Sequence, residues 1–175
     1  MQYLVSIMSP LPITVNGTTT TNYTNWVRAG SVLNLTIGNV YLSNDTMFTP
    51  SIGNESIVVS SPISMSITWT PYYLVSIESP LPISVNGTGT TNYVGWVAGG
   101  STLVVVTSNV TLDNGTMFKP SITSEVITMD SPVTLSISWT PYYLVRVVSP
   151  RASLSQWEAY HELHRLAWAW LKGHY

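Results

Sequence analysis

A gapless internal repeat constrains this chain more than any other feature. Residues 2–71 align with residues 72–141 without insertion or deletion, and 42 of the 70 positions are identical. A unit copied at fixed length is a folding unit that meets its neighbours in the same way each time, so the repeat sets the architecture before any local signal is read. A third copy begins as Tyr142-Tyr143-Leu144-Val145-Arg146-Val147-Val148-Ser149-Pro150, matching Tyr72 to Pro80, and stops after one strand.

Within a copy every local signal is β. Tyr73-Leu74-Val75-Ser76-Ile77 reads as a strand ended by Ser79-Pro80, and Asn86-Gly87 is a strong two-residue hairpin signal. Gly99-Gly100, Asn114-Gly115 and Ser131-Pro132 mark further turns. Val133, Leu135, Ile137 and Trp139 alternate with Thr134, Ser136, Ser138 and Thr140, the pattern of a half-buried antiparallel strand. Six or seven short strands per copy predict an all-β chain of two tandem small antiparallel β-sandwich or open-barrel modules. The aromatic residues Tyr3, Tyr23, Trp26, Phe48 and Trp69 recur as Tyr73, Tyr93, Trp96, Phe118 and Trp139 and are expected to form the two cores. The boundaries fall at 1–71 for the first module, 72–150 for the second with its surplus opening strand at 142–150, and 151–175 for a tail. Trp69-Thr70-Pro71-Tyr72 joins the copies without a Gly/Ser linker, so the joint is expected to be stiff.

The tail changes character. Ser155-Gln156-Trp157-Glu158 is a capping-box pattern, and Trp157, Tyr160, His164, Ala167, Trp168 and Leu171 form a stripe at helical spacing. Ala159, Leu163, Leu166 and Trp170 widen it, which predicts a short C-terminal amphipathic helix that packs on the modules, on another subunit or on a membrane surface, or else is a foreign appendage. His161 and His164 are three apart, but no third metal ligand is evident, so no metal site is assigned.

Composition removes several classes of function. Only 8% of residues are charged and the formal net charge is −2, so no basic field exists to attract nucleic acid. Polarity comes instead from 45 Ser and Thr residues. Cysteine is absent, which excludes disulfides, thiol catalysis and thiolate zinc sites. No apolar run is long enough to span a bilayer. Met1 leads directly into a strand-like run, so a secreted form is expected to have lost its leader.

The frame Tyr72-Tyr73-Leu74-Val75, Tyr93-Val94-Gly95-Trp96-Val97-Ala98-Gly99-Gly100-Ser101, Ser131-Pro132 and Trp139-Thr140-Pro141-Tyr142 resembles tandem β-repeats of archaeal cell-surface proteins. Those repeats accompany thermopsin-like proteases and surface-layer-associated proteins and are similar to divergent internalin-type B repeats. The resemblance covers residues 2–150. It departs at Phe118, which is followed by Lys119-Pro120 where such repeats usually carry Gly-Trp. It implies an extracellular stalk, filament or adhesion module and carries over no protease activity.

Eight of the eleven asparagines stand in Asn-X-Ser/Thr acceptors: Asn16, Asn22, Asn34, Asn44, Asn54, Asn86, Asn109 and Asn114. A Ser/Thr content near one quarter gives about three by chance, and the excess predicts a secreted, glycosylated surface protein. The repeats contain no histidine, and their acids (Asp45, Glu55, Glu78, Asp113, Glu125 and Asp130) recur only at Glu55 and Glu125. No catalytic residue and no cofactor are assigned, and the chain is expected not to be an enzyme. The expected function is that of an extracellular structural protein, self-associating into a homo-oligomer or filament. The surplus strand (Tyr142, Leu144, Val145) and the tail tryptophans (Trp157, Trp168, Trp170) are the candidate assembly residues. The alternatives are a carbohydrate- or protein-binding adhesin and a non-catalytic accessory segment of a secreted thermopsin-like protease.

Overall fold

Each opening strand carries its apolar residues in two pairs, Val5 and Ile7, then Ile13 and Val15, on either side of Ser9-Pro10-Leu11-Pro12. All four share one face of a period-two strand, and the two prolines between them cannot donate to a ladder, so the pairing is interrupted there and an interrupted strand bends. The computed structural model, which describes residues 1–148, shows this bend and is all-β, with no helix among the described residues. The expected tail helix, with Trp157, Trp168, Trp170, His161 and His164, lies outside the described residues.

In the first copy β1 (Gln2–Val15) and β2 (Thr18–Arg28) form a long hairpin, followed by β3 (Val32–Thr36), β4 (Val40–Tyr41), β5 (Thr46–Pro50), β6 (Glu55–Val58) and β7 (Ile63–Ser66). The β1–β2 ladder breaks between Met8 and Ile13. Before the break β1 lies between β2 and β7; after it, between β2 and β3, with β6 beyond β3. One bent hairpin therefore runs through a single five-stranded sheet of β1, β2, β3, β6 and β7, in a sandwich-like body. Asn16 and Gly17 close the hairpin with φ of 47° and 81°, the left-handed pair that a tight two-residue turn requires.

The second copy repeats this with β8 (Trp69–Val85), β9 (Thr88–Ala98), β10 (Thr102–Val106), β11 (Val110–Thr111), β12 (Thr116–Pro120), β13 (Ser124–Thr128), β14 (Val133–Ser136) and β15 (Trp139–Tyr143). Three expectations need correction. The strand of the second copy does not end at Ser79-Pro80: β8 continues to Val85 through the bend. The alternating run 133–139 is not one antiparallel strand. β14 pairs in parallel with β8, Val133 opposite Val75 and Leu135 opposite Ile77, and after a break β15 lies beside β12. The first copy has the same parallel pairing between β1 and β7. Alternation specifies which face is buried but not the direction of the neighbour, and a parallel neighbour is reached by a crossover, here through β9 to β13, rather than by a tight turn.

The third correction concerns the cores, which are aliphatic. Val5, Ile7, Ile13, Val15, Leu33, Leu35, Ile37, Val59 and Ile67 form one buried cluster, and Val75, Ile77, Ile83, Val85, Leu103, Val105, Met129 and Ile137 form the other. Tyr3, Tyr23 and Trp69, and their counterparts Tyr73, Tyr93 and Trp139, pack on the cluster edges. Trp26, Trp96, Phe48 and Phe118 belong to neither cluster. The edge tryptophans hold the bends in place. Trp69 Nε1 donates to Ser9 Oγ and Trp139 Nε1 to Ser79 Oγ, each at 2.9 Å. Each of those buried hydroxyls also donates to the carbonyl two residues on, Leu11 or Leu81, at 2.6 Å. A tryptophan sixty residues downstream thus pins the bend of each opening strand.

Met1–Tyr142 form one compact unit. β8 is the reason that no linker is needed at 69–72, because its first residues, Trp69 to Tyr73, pair with β5 of the first copy and its later ones build the second core. Among the described residues no helix is long and apolar enough to cross a membrane.

Candidate functional site

The opening strand occurs three times and meets three environments only because its neighbours differ. Val5 and Ile7 are 0% exposed between β2 and β7, and Val75 and Ile77 are 0% exposed between β9 and β14. Their third-copy counterparts, Val145 and Val147, are 78% and 86% exposed. Residues 144–148 belong to no strand, and Tyr142, Tyr143, Leu144 and Val148 are exposed as well. The candidate residues Leu144 and Val145 therefore lie on a segment with the sequence of a core strand and without one's surroundings, and Tyr142 precedes it in β15. The remaining candidates, Trp157, Trp168 and Trp170, are outside the described residues.

A second surface belongs to the joint between copies. The β4–β5 hairpin lies along the start of β8, from Thr46 opposite Tyr73 to Pro50 opposite Trp69, and Leu74 N–H donates to the Asp45 carbonyl at 3.0 Å. Tyr41 of β4 meets Trp96 of β9 edge to face, with ring centroids 5.9 Å apart. This hairpin partly covers Trp96, which is 36% exposed. The first-copy counterpart, Trp26, has no hairpin beside it among the described residues and is 63% exposed, opposite exposed Leu4. At the other end the β11–β12 hairpin repeats β4–β5, with Thr111 in the place of Tyr41 and Gly115 in that of Asp45.

The tryptophan positions were legible in principle. Tyr93 and Val97 of β9 pack on the second core, so the period of two turns Val94 and Trp96 outward. Residue type suggested burial, and the alternation contradicted it.

All eight acceptor asparagines, Asn16, Asn22, Asn34, Asn44, Asn54, Asn86, Asn109 and Asn114, are exposed. Several also have structural work. Asn16 Oδ1 accepts from Asn34 N–H and Asn86 Oδ1 from Val104 N–H, both at 2.8 Å, and Asn54 Oδ1 accepts from Ile37 N–H at 2.8 Å. These bonds use the amide oxygen and leave Nδ2, the atom a glycan would take, unengaged by them.

The acids Asp45, Glu55, Glu78, Asp113, Glu125 and Asp130, and Lys119, are also exposed. Among the described residues no three acids or histidines come together as a metal site would need. Equivalent hollows flank the two bends, about 420 Å³ beside Met8 and about 360 Å³ beside Glu78. The second is lined by Glu78, Ser79, Pro80, Thr91, Asn92 and Ser136, a hydroxyl-rich wall with one carboxylate and no base beside a nucleophile. Comparison with family models, with curated proteins and with solved structures finds no match.

Proposed function

We propose that this chain is an extracellular structural protein: two tandem seventy-residue β-modules forming a subunit or segment of a cell-surface stalk, filament or surface layer. The observation that carries this reading is the opening strand at 142–148, whose core positions Val145 and Val147 stand exposed where Val5, Ile7, Val75 and Ile77 are sealed. A strand of this kind is completed by another polypeptide, because its unpaired backbone and apolar face are the two things strand addition supplies. The resemblance to archaeal surface repeats supports the same setting. Negative-stain microscopy of the purified chain is expected to show regular fibres that lengthen with concentration; discrete particles at every concentration would remove the structural reading.

Glycosylation belongs to the same proposal. Protein from its native source is expected to exceed the 19.2 kDa chain mass by several sugar units. Peptide mapping of native material that finds all eight sequons bare would end it.

A second reading, a carbohydrate-binding adhesin, is favoured by one observation, the solvent-facing Tyr41–Trp96 pair. Aromatic faces stack on sugar rings, so a glycan array would show binding that Trp96→Ala abolishes.

A further inference from the structure

We propose that the acceptor for the surplus strand is the first-copy core of a second molecule of this chain, in which residues 142–148 take the place of residues 2–8. The inference rests on the self-assembling reading above and specifies its joint.

At β1 the acceptor is a strand position and not a sheet edge. Residues 5–8 of β1 already have β2 on one side and β7 on the other, so a strand cannot be added beside them; it can only replace them. Replacement needs little else to move. The ladder breaks between Met8 and Ile13, and the half of β1 beyond the bend keeps its own pairing to β2 and β3. The second core offers no such opportunity, because β8 enters it directly from its ladder with β5 and is held on both sides of the joint.

The sequences are interchangeable where it matters. Tyr143, Leu144 and Val145 repeat Tyr3, Leu4 and Val5, and Val147 stands for Ile7, one methylene smaller in the core. Arg146 and Val148 replace Ser6 and Met8, which do not belong to the core cluster. Carried over from β1, the register sets Tyr143 opposite Val27, Leu144 opposite Trp26, Val145 opposite Asn25 and Arg146 opposite Thr24 of the second molecule. On the other side Val145 runs in parallel beside Ile63 and Val147 beside Met65.

Exchange favours the incoming strand because it does not come alone. At the internal joint, β8 arrives with the β4–β5 hairpin alongside, and that hairpin bonds Leu74 N–H and shields Trp96. Among the described residues β1 has no hairpin there, and Trp26 is open. The surplus strand follows β15, which lies beside the β11–β12 hairpin. That hairpin would reach the Leu144 backbone as β4–β5 reaches Leu74, and would lie beside Trp26 with Thr111 in the place of the Tyr41 ring. The exchanged joint therefore has every partner of the original strand and one more.

The chain has no cysteine, so the register can be tested by paired substitution. Ser6 Oγ and Thr24 Oγ1 face each other at 3.5 Å across β1 and β2, and Arg146 would occupy the Ser6 position. Under mild oxidation Thr24→Cys/Arg146→Cys should move most of the chain into a reducible ladder of covalent dimers and higher multimers. Thr24→Cys/Val147→Cys, which sets the thiols on opposite faces, should stay monomeric on the same gel. Thr24 and Arg146 are exposed, and circular dichroism matching the parent would establish that both variants fold. Fibres by microscopy without the covalent ladder would overturn this joint and leave self-assembly standing. Neither fibres nor ladder would remove both, and a crosslink within single chains would assign the strand to its own molecule.

Discussion

Trp139→Ala is expected to destabilise the second core by about 3–5 kcal/mol, the usual range for deleting a large aromatic packed on a core. Trp96→Ala, in the same copy, is expected to cost only about 1–2 kcal/mol, made up of its contact with Tyr41 and its preference for an extended backbone. The difference lies in what the two rings touch. Trp139 packs against the second cluster and its Nε1 pins Ser79 at the bend of β8, so its loss opens a cavity and frees the bend together. Trp96 faces outward and contacts one ring. Thermal melts of the two variants beside the parent check this. Equal losses, or a larger loss at Trp96, would mean that the second core is not the aliphatic cluster sealed by Trp139.

That contrast shows how far the sequence alone reaches. The seventy-residue period, the Asn16-Gly17 and Asn86-Gly87 turns and the inward set Val133, Leu135, Ile137 and Trp139 were all readable, because each depends on local geometry or on copying. Ile37 and Thr107 show that even the exceptions follow the frame: the second copy buries a threonine where the first buries an isoleucine, and its hydroxyl donates to the Ile122 carbonyl. What was not readable depends on which segments meet at a distance. Nothing in residues 63–66 states that they will run parallel to β1. Nothing in Ser79-Pro80 states that the strand bends there instead of ending, since the compensating bond comes from Trp139, sixty residues on.

The candidate site was legible in a different sense. Counting copies exposes a third opening strand for two bodies, but its burial is a property of partners. Asp45 and Gly115 illustrate the limit. They occupy the same turn position with φ of 57° and 81°, yet only the Asp45 carbonyl has a following strand to bond, at Leu74. The residues predict the same turn, and the difference in bonding arises from what comes next along the chain.

The decisive substitution is Val145→Asp together with Val147→Asp. Both side chains are largely exposed in the single molecule, so the charges remain hydrated, and the melting temperature should stay within about a degree of the parent, as for ordinary surface changes. Assembly should be lost outright. Completing a core with this strand would bury two unpaired carboxylates at positions that are 0% exposed in the first and second copies, at a cost of several kcal/mol each. The matching change in the second copy, Val75→Asp with Ile77→Asp, puts the same charges into a core that already exists, and the second core should not fold. The pair of experiments separates the two roles of one sequence. Sedimentation velocity of the first variant is expected to show monomer at concentrations where the parent forms fibres. Should the variant with Val145→Asp and Val147→Asp instead melt early while still assembling, the third strand would be a stabilising part of its own chain, and the contact between molecules would have to be sought on another surface.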